Sequence, residues 1–321
     1  MTVGIIGCGA VTESMYARAV LGDPSLQVSW VSDLDPSRAA IVARAVGAKA
    51  CPSEELIVQA DAIVIATPPA SHEALIGECL APGKTILCEK PFVTTAAAAE
   101  HVTSAAAEIG AALCVGHFRR LYPQVALARQ IVALGVIGAV SELSLSEGGR
   151  FTWVANSGYT MNERTGGVLW DTGSHTLDMA LYAAALDEQP MSGVSVSAVE
   201  RDKAEPSHDY AATAVFDADG GRITCRVHFS RTQALPNLVR IVGDRGSVMF
   251  VAGFDDRVRL STGTGTMVIP AETEFTNLDE CFSRQLHEIL VDRDGHTFAG
   301  ARFVGQVAVL EALSDAVGDG R

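Results

Sequence analysis

The sequence predicts an α/β protein with an N-terminal doubly wound parallel sheet and a C-terminal α/β domain whose sheet is open-faced and mostly antiparallel. Through the first 120 residues, short apolar runs alternate with helical patterns, which is the order of a parallel sheet. A glycine-rich turn joins the first run to the first helix. After residue 190, runs with strand character follow one another without helices between them, which indicates a mostly antiparallel sheet.

Length and hydropathy limit the class of protein. A chain of 321 residues is long enough for two domains, which we place at 1–120 and 121–321. Hydrophobic residues make up 48% of the chain, yet no apolar run reaches the roughly eighteen residues of a membrane helix. The first residues enter a strand-like run directly and lack a signal-peptide pattern. We therefore expect a soluble, cytoplasmic protein.

Charge and cysteine usage exclude several functions. The net charge of −14 repels phosphate backbones and anionic membrane surfaces, which argues against nucleic-acid and membrane partners. The seven cysteines are odd in number and scattered, without a CxxC pair. This pattern indicates reduced, buried thiols and predicts neither a metal site nor a disulfide framework.

The first candidate site is the turn after the strand predicted at Thr2 to Ile6. Gly7 permits a tight turn, and Gly9 lets the backbone approach a pyrophosphate. The next helix begins near Ala10, so its free N–H groups face the anion. Thr12 stands where the dinucleotide fingerprint has its third glycine. The candidate cofactor contacts in this turn are Gly7, Gly9, Ala10 and Val11.

An acidic residue follows the second predicted strand, Val28 to Ser32. Asp33 lies about twenty residues beyond the glycines, where a carboxylate accepts the ribose hydroxyls of a dinucleotide. It would repel a 2′-phosphate, which favours NAD over NADP, although Arg38 in the next helix could soften that repulsion. The alternative is an ordinary turn aspartate before Asp35.

Two further strands end in candidate ligand loops. The runs Asp61 to Ala66 and Lys84 to Cys88 are continuously apolar, as expected for strands covered on both faces. Their C-terminal loops face the crevice where doubly wound sheets bind ligands. His72, beyond the first run, is either a cofactor contact or a capping or surface histidine. Lys90, beyond the second, places its ammonium near the end of a bound dinucleotide, unless it is an ordinary surface lysine.

The stretch from Gly166 to Asp178 carries three ionisable side chains in apolar surroundings. If its helix begins near Gly173, Asp171 lies just before or in the first turn, and shares one face with His175 and Asp178. This spacing predicts an acid–base constellation with its own orienting carboxylate. A capping aspartate and an inert core histidine are the alternative.

Five motifs occur in order along the chain: GCGAVTE, ATPPASHEAL, GKTILCEKP, GHFRRLYP and GGVLWDTGSHTLD. Together they resemble the glucose-fructose oxidoreductase, inositol dehydrogenase and rhizopine-catabolism family, written Gfo/Idh/MocA. The resemblance implies a Rossmann domain and an α/β domain whose open sheet carries subunit contacts. It also implies NAD(P)-dependent oxidation of a sugar or cyclitol hydroxyl, or the reverse reduction.

The resemblance assigns roles to particular residues. Lys90 matches the lysine of the EKP signature, and Asp171 and His175 match the catalytic carboxylate and the general acid–base. The family pattern also makes the Lys90–Pro91 bond a candidate for the cis form. The positions that match cofactor-binding residues are Gly7, Gly9, Asp33, Thr67, Pro68, His72 and Glu89.

A polar-aromatic loop is predicted from Glu147 to Tyr159, before the helix of His175. Arg150 and Arg164 could hold a carboxylate or phosphate, while Trp153 and Tyr159 could stack on a sugar face. Each of the four has an alternative as an ordinary loop or core residue.

The remaining runs predict the second sheet and its partner. Runs from Val194 to Leu260 have strand character, with Asp219-Gly220-Gly221 as a hairpin turn. With helices on one face, the other face needs a partner, so we expect a homodimer or homotetramer joined through this sheet. Two closing helices, Phe275 to Val291 and Ala301 to Val317, belong to the second domain or pack back on the first.

The sequence therefore favours an NAD(P)-dependent dehydrogenase or reductase acting on CH–OH groups of a sugar, amino sugar or cyclitol, with NAD as the cofactor and NADP less favoured. Two alternatives stay open: an enzyme that uses tightly bound NAD for transient oxidation, as glycosidases of this family do, and a catalytically silent NAD-binding sensor. The joint presence of Lys90, Asp171 and His175 argues against the sensor.

Overall fold

The structure, a computed structural model, describes residues 1–150, 166–201, 207–218 and 221–316. These residues divide into two compact units. The first unit contains residues 1–118 and 279–301, and the second contains the other described residues. Each unit is described by itself below.

The strands and helices are numbered in chain order. The strands are β1 (Val3–Ile6), β2 (Val28–Ser32), β3 (Lys49–Ala50), β4 (Ala62–Ile65), β5 (Thr85–Glu89), β6 (Ala112–Gly116), β7 (Val140–Gly148), β8 (Ser192–Arg201), β9 (Asp209–Ala218), β10 (Gly221–Ser230), β11 (Leu238–Gly243), β12 (Gly246–Val251), β13 (Arg257–Thr262) and β14 (Gly265–Pro270). The α-helices are α1 (Ala17–Gly22), α2 (Pro36–Val46), α3 (Ser53–Gln59), α4 (His72–Cys79), α5 (Ala96–Ile109), α6 (Pro123–Ala133), α7 (Ser174–Ala183), α8 (Leu278–Leu286) and α9 (Val304–Asp315).

Among the described residues, three π-helical segments adjoin these helices. They are Thr12–Tyr16 before α1, Leu169–Gly173 before α7, and His287–Asp292 after α8. A π-helical turn within a longer helix is uncommon, and where one occurs it often lies at a functional site. Two of the three lie in stretches that the sequence analysis singled out.

The first unit is built on a parallel sheet with the strand order β3-β2-β1-β4-β5-β6. Every residue of β1, β4 and β5 is buried, which explains why their sequences are continuously apolar rather than alternating. The order reverses between β1 and β4, and the loops after these strands meet at that switch point. The glycine turn and the loop of Thr67 therefore belong to one edge of the sheet.

The second unit is built on a sheet with the strand order β14-β13-β12-β11-β7-β10-β9-β8. Neighbouring strands are antiparallel except for β7 and β10, which run parallel. Helices α6, α7 and α9 contact the sheet, and side chains on that face, such as Leu143 and Ile241, are fully buried. Side chains on the opposite face, such as Thr213, Arg226 and Arg240, are exposed or half-buried.

These two sheets confirm the predicted fold class. The sequence analysis did not predict β3, α3 or β14, and it began the helix of α8 three residues early, at Phe275. It also treated Glu147 as the start of a loop, whereas β7 continues through Gly148. Residues 219–220 of the predicted hairpin turn lie outside the described residues, although β9 and β10 pair as a hairpin requires. No helix among the described residues has both the length and the apolarity to cross a membrane.

Candidate active site

The turn after β1 has the backbone that a dinucleotide site requires. Gly7 has a φ of +101°, and a Cβ there would lie 2.5 Å from the carbonyl oxygen of Ala66, so a larger residue is excluded. A Cβ at Gly9 would meet nothing within 4 Å, so the backbone is open on that side. Thr12 is fully buried, and its Oγ1 donates a 2.6 Å hydrogen bond to the carbonyl oxygen of Gly7. The residue that departs from the glycine pattern thus braces the turn.

The carboxylate of Asp33 is fixed beside this turn. Its Oδ2 accepts from the backbone N–H of Cys8 at 2.7 Å, and its Oδ1 accepts from that of Asp35 at 2.8 Å. Each carboxylate oxygen has a second lone pair with which it can accept from a ribose hydroxyl. Burial, and then the charge of Asp33, raise the pKa of the Cys8 thiol to about 12, so this thiol stays protonated near neutral pH. An open glycine backbone next to a fixed carboxylate fits NAD.

His72 ties together two loops that the sequence predicts to hold the cofactor. Its ring is fully buried in the first turn of α4. Nε2 lies 2.8 Å from the carbonyl oxygen of Thr67, while Nδ1 lies 3.0 Å from that of Pro91 and 2.9 Å from that of Phe92. Carbonyl oxygens thus lie beside both ring nitrogens, and the neutral ring donates to them from one nitrogen only. This geometry supports a role for His72 in holding the loops after β4 and β5.

We expect His72 to make the protein less stable as the pH falls. Burial lowers the pKa of His72 below its usual 6.5, against the opposing effect of its carbonyl bonds. Below about pH 6.5, His72 therefore binds a proton in the unfolded chain but stays neutral in the folded protein. The stability that neutral His72 contributes is lost as the pH falls through its lowered pKa. Between about pH 7 and pH 5, the melting temperature should fall more steeply for the wild type than for His72→Gln.

The exposed His101 provides the control for this prediction. It pairs with Glu73 on the surface, and its side chain is 73% exposed. His101→Gln should therefore keep the steep wild-type dependence of melting temperature on pH. Equal slopes for the wild type and His72→Gln would contradict the prediction.

Lys90 follows a buried carboxylate at the end of β5. Glu89 accepts from the Tyr16 hydroxyl at 2.7 Å and from the backbone N–H of Lys90 at 3.1 Å. Burial raises the pKa of Glu89, while Tyr16 and the Lys90 charge act in the opposite direction. The Lys90–Pro91 bond is cis, as the resemblance implied. Tyr16 therefore links the π-helical segment after the glycine turn to the strand end that carries Lys90.

In the second unit, Asp171 and His175 lie on one continuous helix. The prediction that this helix begins near Gly173 is wrong, because Asp171 already lies inside the π-helical segment and α7 continues from it. Gly173 has a packing role instead: a Cβ there would approach the ring of Phe229 to 2.8 Å. His175 occupies the first turn of α7 and is 8% exposed. Asp171 and His175, four residues apart, therefore still share a helix face.

Asp178 is bound by a buried arginine. Its carboxylate binds the guanidinium of Arg120, with Nη2 donating to Oδ1 at 2.6 Å and Nε donating to Oδ2 at 3.0 Å. Arg120 is fully buried and also donates to Asp187 at 3.1 Å. Asp178 therefore belongs to a buried ionic cluster with Arg120 and Asp187.

Charged residues that the sequence analysis did not assign bind Asp171 and Thr176, on the helix that carries His175. Arg231 donates to Oδ2 of Asp171 at 2.8 Å. Arg119 donates through Nη1 to both oxygens of Glu147, at 3.0 and 3.1 Å, and Glu147 also accepts from the hydroxyl of Thr176. Burial lowers the pKa of Arg119, but Glu147 and, to a smaller extent, Asp171 raise it. The pKa of Arg119 is raised overall. These partners are distant in sequence, so helical spacing gave no signal for them.

The four candidate substrate residues have different outcomes. Arg150 is exposed and follows β7. Trp153, Tyr159 and Arg164 lie outside the described residues, so these predictions rest on the sequence.

Comparison with known families places this geometry in context. Residues 1–117 match the model of an oxidoreductase family with an NAD-binding Rossmann fold, GFO_IDH_MocA. Residues 125–249 match the GFO/IDH/MocA C-terminal domain. The chain belongs to the Gfo/Idh/MocA family. This membership confirms the predicted oxidoreductase class and the predicted NAD cofactor.

Relatives within the family include inositol dehydrogenases. The inositol 2-dehydrogenase of Rhizobium meliloti is 28% identical over 298 residues, which span 90% of this chain and 88% of that protein. The inositol 2-dehydrogenase of Rubrobacter xylanophilus is 36% identical over 147 residues, which span 43% of this chain and 41% of that protein.

Solved structures show the same fold. An oxidoreductase from Agrobacterium radiobacter, in complex with NAD⁺, L-tartaric acid and magnesium, superposes with a TM-score of 0.80 at 21% identity, covering 100% of this chain and 97% of that chain. A putative myo-inositol dehydrogenase from Sinorhizobium meliloti gives a TM-score of 0.74 at 23% identity, covering 100% of this chain and 98% of that chain.

Proposed function

We propose that this Gfo/Idh/MocA protein transfers a hydride between NAD and a secondary hydroxyl or ketone of a sugar, amino sugar or cyclitol. The observation that carries the proposal is the pairing of Asp171 and His175 on one helix face, with Asp171 held by Arg231, in a chain whose first unit has an NAD-binding fold. A relative named as an inositol 2-dehydrogenase, aligned over 90% of this chain, supports the cyclitol as substrate class.

Each residue has a distinct proposed task. Bound NAD supplies the hydride acceptor for the oxidation. His175 takes the hydroxyl proton, because an imidazole has an unperturbed pKa near neutrality. Lys90 stabilises alkoxide character on the substrate oxygen and polarises the carbonyl in the reverse direction. Asp171 holds the imidazole or binds a substrate hydroxyl. Arg150, Trp153, Tyr159 and Arg164 are proposed to shape the substrate pocket.

A substrate screen tests this function. The purified protein is incubated with NAD or NADP and with myo-inositol, scyllo-inositol, D-glucose, D-xylose or N-acetylglucosamine, and the absorbance of the reduced nicotinamide is followed. We expect at least one of these polyols to reduce NAD. Cofactor that co-purifies and never exchanges would indicate transient oxidation instead, and binding of NAD without turnover of any polyol would favour a sensor.

We expect NAD to bind more tightly than NADP. Asp33, fixed at the glycine turn, accepts ribose hydroxyls and repels a 2′-phosphate. Loss of these charge-assisted bonds in Asp33→Ala should weaken NAD binding by about 10- to 100-fold. Titration calorimetry of the wild type and the variant with both nucleotides gives the dissociation constants. Asp35→Ala is the control, because Asp35 is a neighbouring carboxylate that caps α2. A wild type that prefers NADP would refute the assignment.

We propose a homodimer or homotetramer joined through the open face of the second sheet. This face carries polar and aliphatic side chains such as Thr213, Arg226 and Met249, which remain exposed or half-buried. Light scattering at micromolar concentration should show an oligomer, and Met249→Glu should dissociate it by burying a charge at the interface. Val58→Glu, at a 78% exposed valine on α3, should leave the oligomer intact. A monomeric wild type would contradict the proposal.

We propose a cytoplasmic location. All seven cysteines are free thiols, and six of them are buried. Free thiols without disulfides suit a reducing compartment.

A further inference from the structure

Arg231 is a buried cation aimed at the candidate active site. It follows the last residue of β10, and its side chain is 3% exposed. Its Nη2 donates to Oδ2 of Asp171 at 2.8 Å and to the carbonyl oxygen of Gly167 at 3.3 Å. An arginine is rarely so buried unless it is paired, because removing its charge from water is costly. One guanidinium thus binds both the start of this helix and the carboxylate one turn further along.

The backbone around Arg231 is held by a dedicated hydrogen-bond network. The N–H of Arg231 donates to the carbonyl oxygen of His208 at 2.8 Å. On either side, the hydroxyls of Ser230 and Thr232 both donate to Asp209, the latter at 2.7 Å. Ser230 Oγ in turn accepts from the N–H of Gln233 at 2.7 Å. The backbone that carries Arg231 is therefore anchored at the ends of β9 and β10, outside the helix that its guanidinium binds.

This arrangement gives Asp171 an orientation that its own helix does not supply. A carboxylate on a helix has several accessible rotamers. A charge-assisted bond from a buried arginine selects one of them. Small errors in the placement of a reacting group cost about 10²-fold in rate. The orientation of Asp171 therefore bears directly on turnover.

We propose that Arg231 is a positioning residue that acts through Asp171 and does not itself contact the substrate. This inference rests on the proposed function, in which Asp171 belongs to the catalytic group. Arg231 holds the carboxylate of Asp171 in one orientation toward the group that it binds, which is the imidazole of His175 or a substrate hydroxyl. The conservative Arg231→Lys keeps the charge but replaces the planar guanidinium with a compact ammonium on a shorter, flexible side chain.

A double-mutant cycle tests the proposal. Turnover of myo-inositol with NAD is measured for the wild type, Asp171→Asn, Arg231→Gln and the double variant. Arg231→Gln should lower kcat by about 10- to 100-fold, while the dissociation constant for NAD stays unchanged. In the Asp171→Asn background, the same replacement should change kcat by less than about twofold, because Arg231 has nothing left to position. Arg231→Lys should recover part of the lost kcat.

Control variants distinguish the positioning role of Arg231 from an effect on folding and from a failure of the proposed function. Arg284→Gln removes an exposed arginine that pairs with Glu288 at 2.9 Å, and it should leave kcat unchanged. Melting temperatures report folding, and Arg231→Lys replaces Arg231→Gln in the cycle if the latter does not fold. Additive losses, an unchanged kcat, or a rise in KM for the polyol alone would overturn the role of Arg231. Absence of wild-type turnover with every polyol of the screen would overturn the proposed function and this inference together.

Discussion

We expect His175→Ala to lower kcat by about 10²- to 10⁴-fold, while the affinity for NAD stays near the wild-type value. Hydride loss from a secondary alcohol requires that the hydroxyl proton leave, and an imidazole is the side chain best suited to accept it near neutral pH. His175 lies in the first turn of α7, in the second unit, whereas the NAD-binding fold is the first unit. Loss of the imidazole should therefore affect the chemical step and not cofactor binding.

Single-turnover kinetics combined with NAD titration check this expectation. His101→Ala is the matched control, because it removes an exposed histidine of the first unit and should leave turnover unchanged. Near-normal turnover of His175→Ala, with an unchanged pH profile, would show that another group accepts the proton. Tyr159 is then the next candidate.

The glycine turn and the central strands of the first unit were predictable because their signals are local. The glycine at position 7 is required by a positive φ and by the carbonyl oxygen of Ala66, and strand burial on both faces produces continuous apolar runs. Asp33 directly follows β2, and this position alone puts its carboxylate beside the turn. Thr12 shows the limit of motif matching, because its buried hydroxyl braces the turn where a glycine was expected.

The environment of Asp171 was not predictable from its spacing. Helical periodicity correctly gave Asp171 and His175 a common face, and it placed Asp178 on that face as well. The partners that decide between these carboxylates, Arg231 for Asp171 and Arg120 for Asp178, lie 60 and 58 residues away in the chain. Periodicity describes one element, whereas ionic partners depend on the tertiary fold. For the same reason, no local signal identified His72 as a tie between two loops.

Breaking the ion pair of Arg120 and Asp178 should destabilise the protein strongly. The side chains of Arg120, Asp178 and Asp187 are at most 1% exposed. The guanidinium of Arg120 also lies 4.0 Å from the ring centroid of Phe303, so water has little access to it. In Arg120→Met, Asp178 loses this partner in a dry environment, and we expect a cost of about 3–5 kcal/mol in the free energy of unfolding.

A second replacement should recover much of that loss. In Arg120→Met/Asp178→Val, one positive and one negative charge leave together, and apolar side chains of roughly comparable size take their place, which is often neutral for a buried pair. Asp187 keeps Arg129 and Arg302 as partners, at 2.9 and 2.8 Å. Urea unfolding followed by circular dichroism gives the free energy of unfolding of each variant. A double variant as unstable as Arg120→Met would show that the geometry of the cluster, and not its charge balance, holds α7 in place.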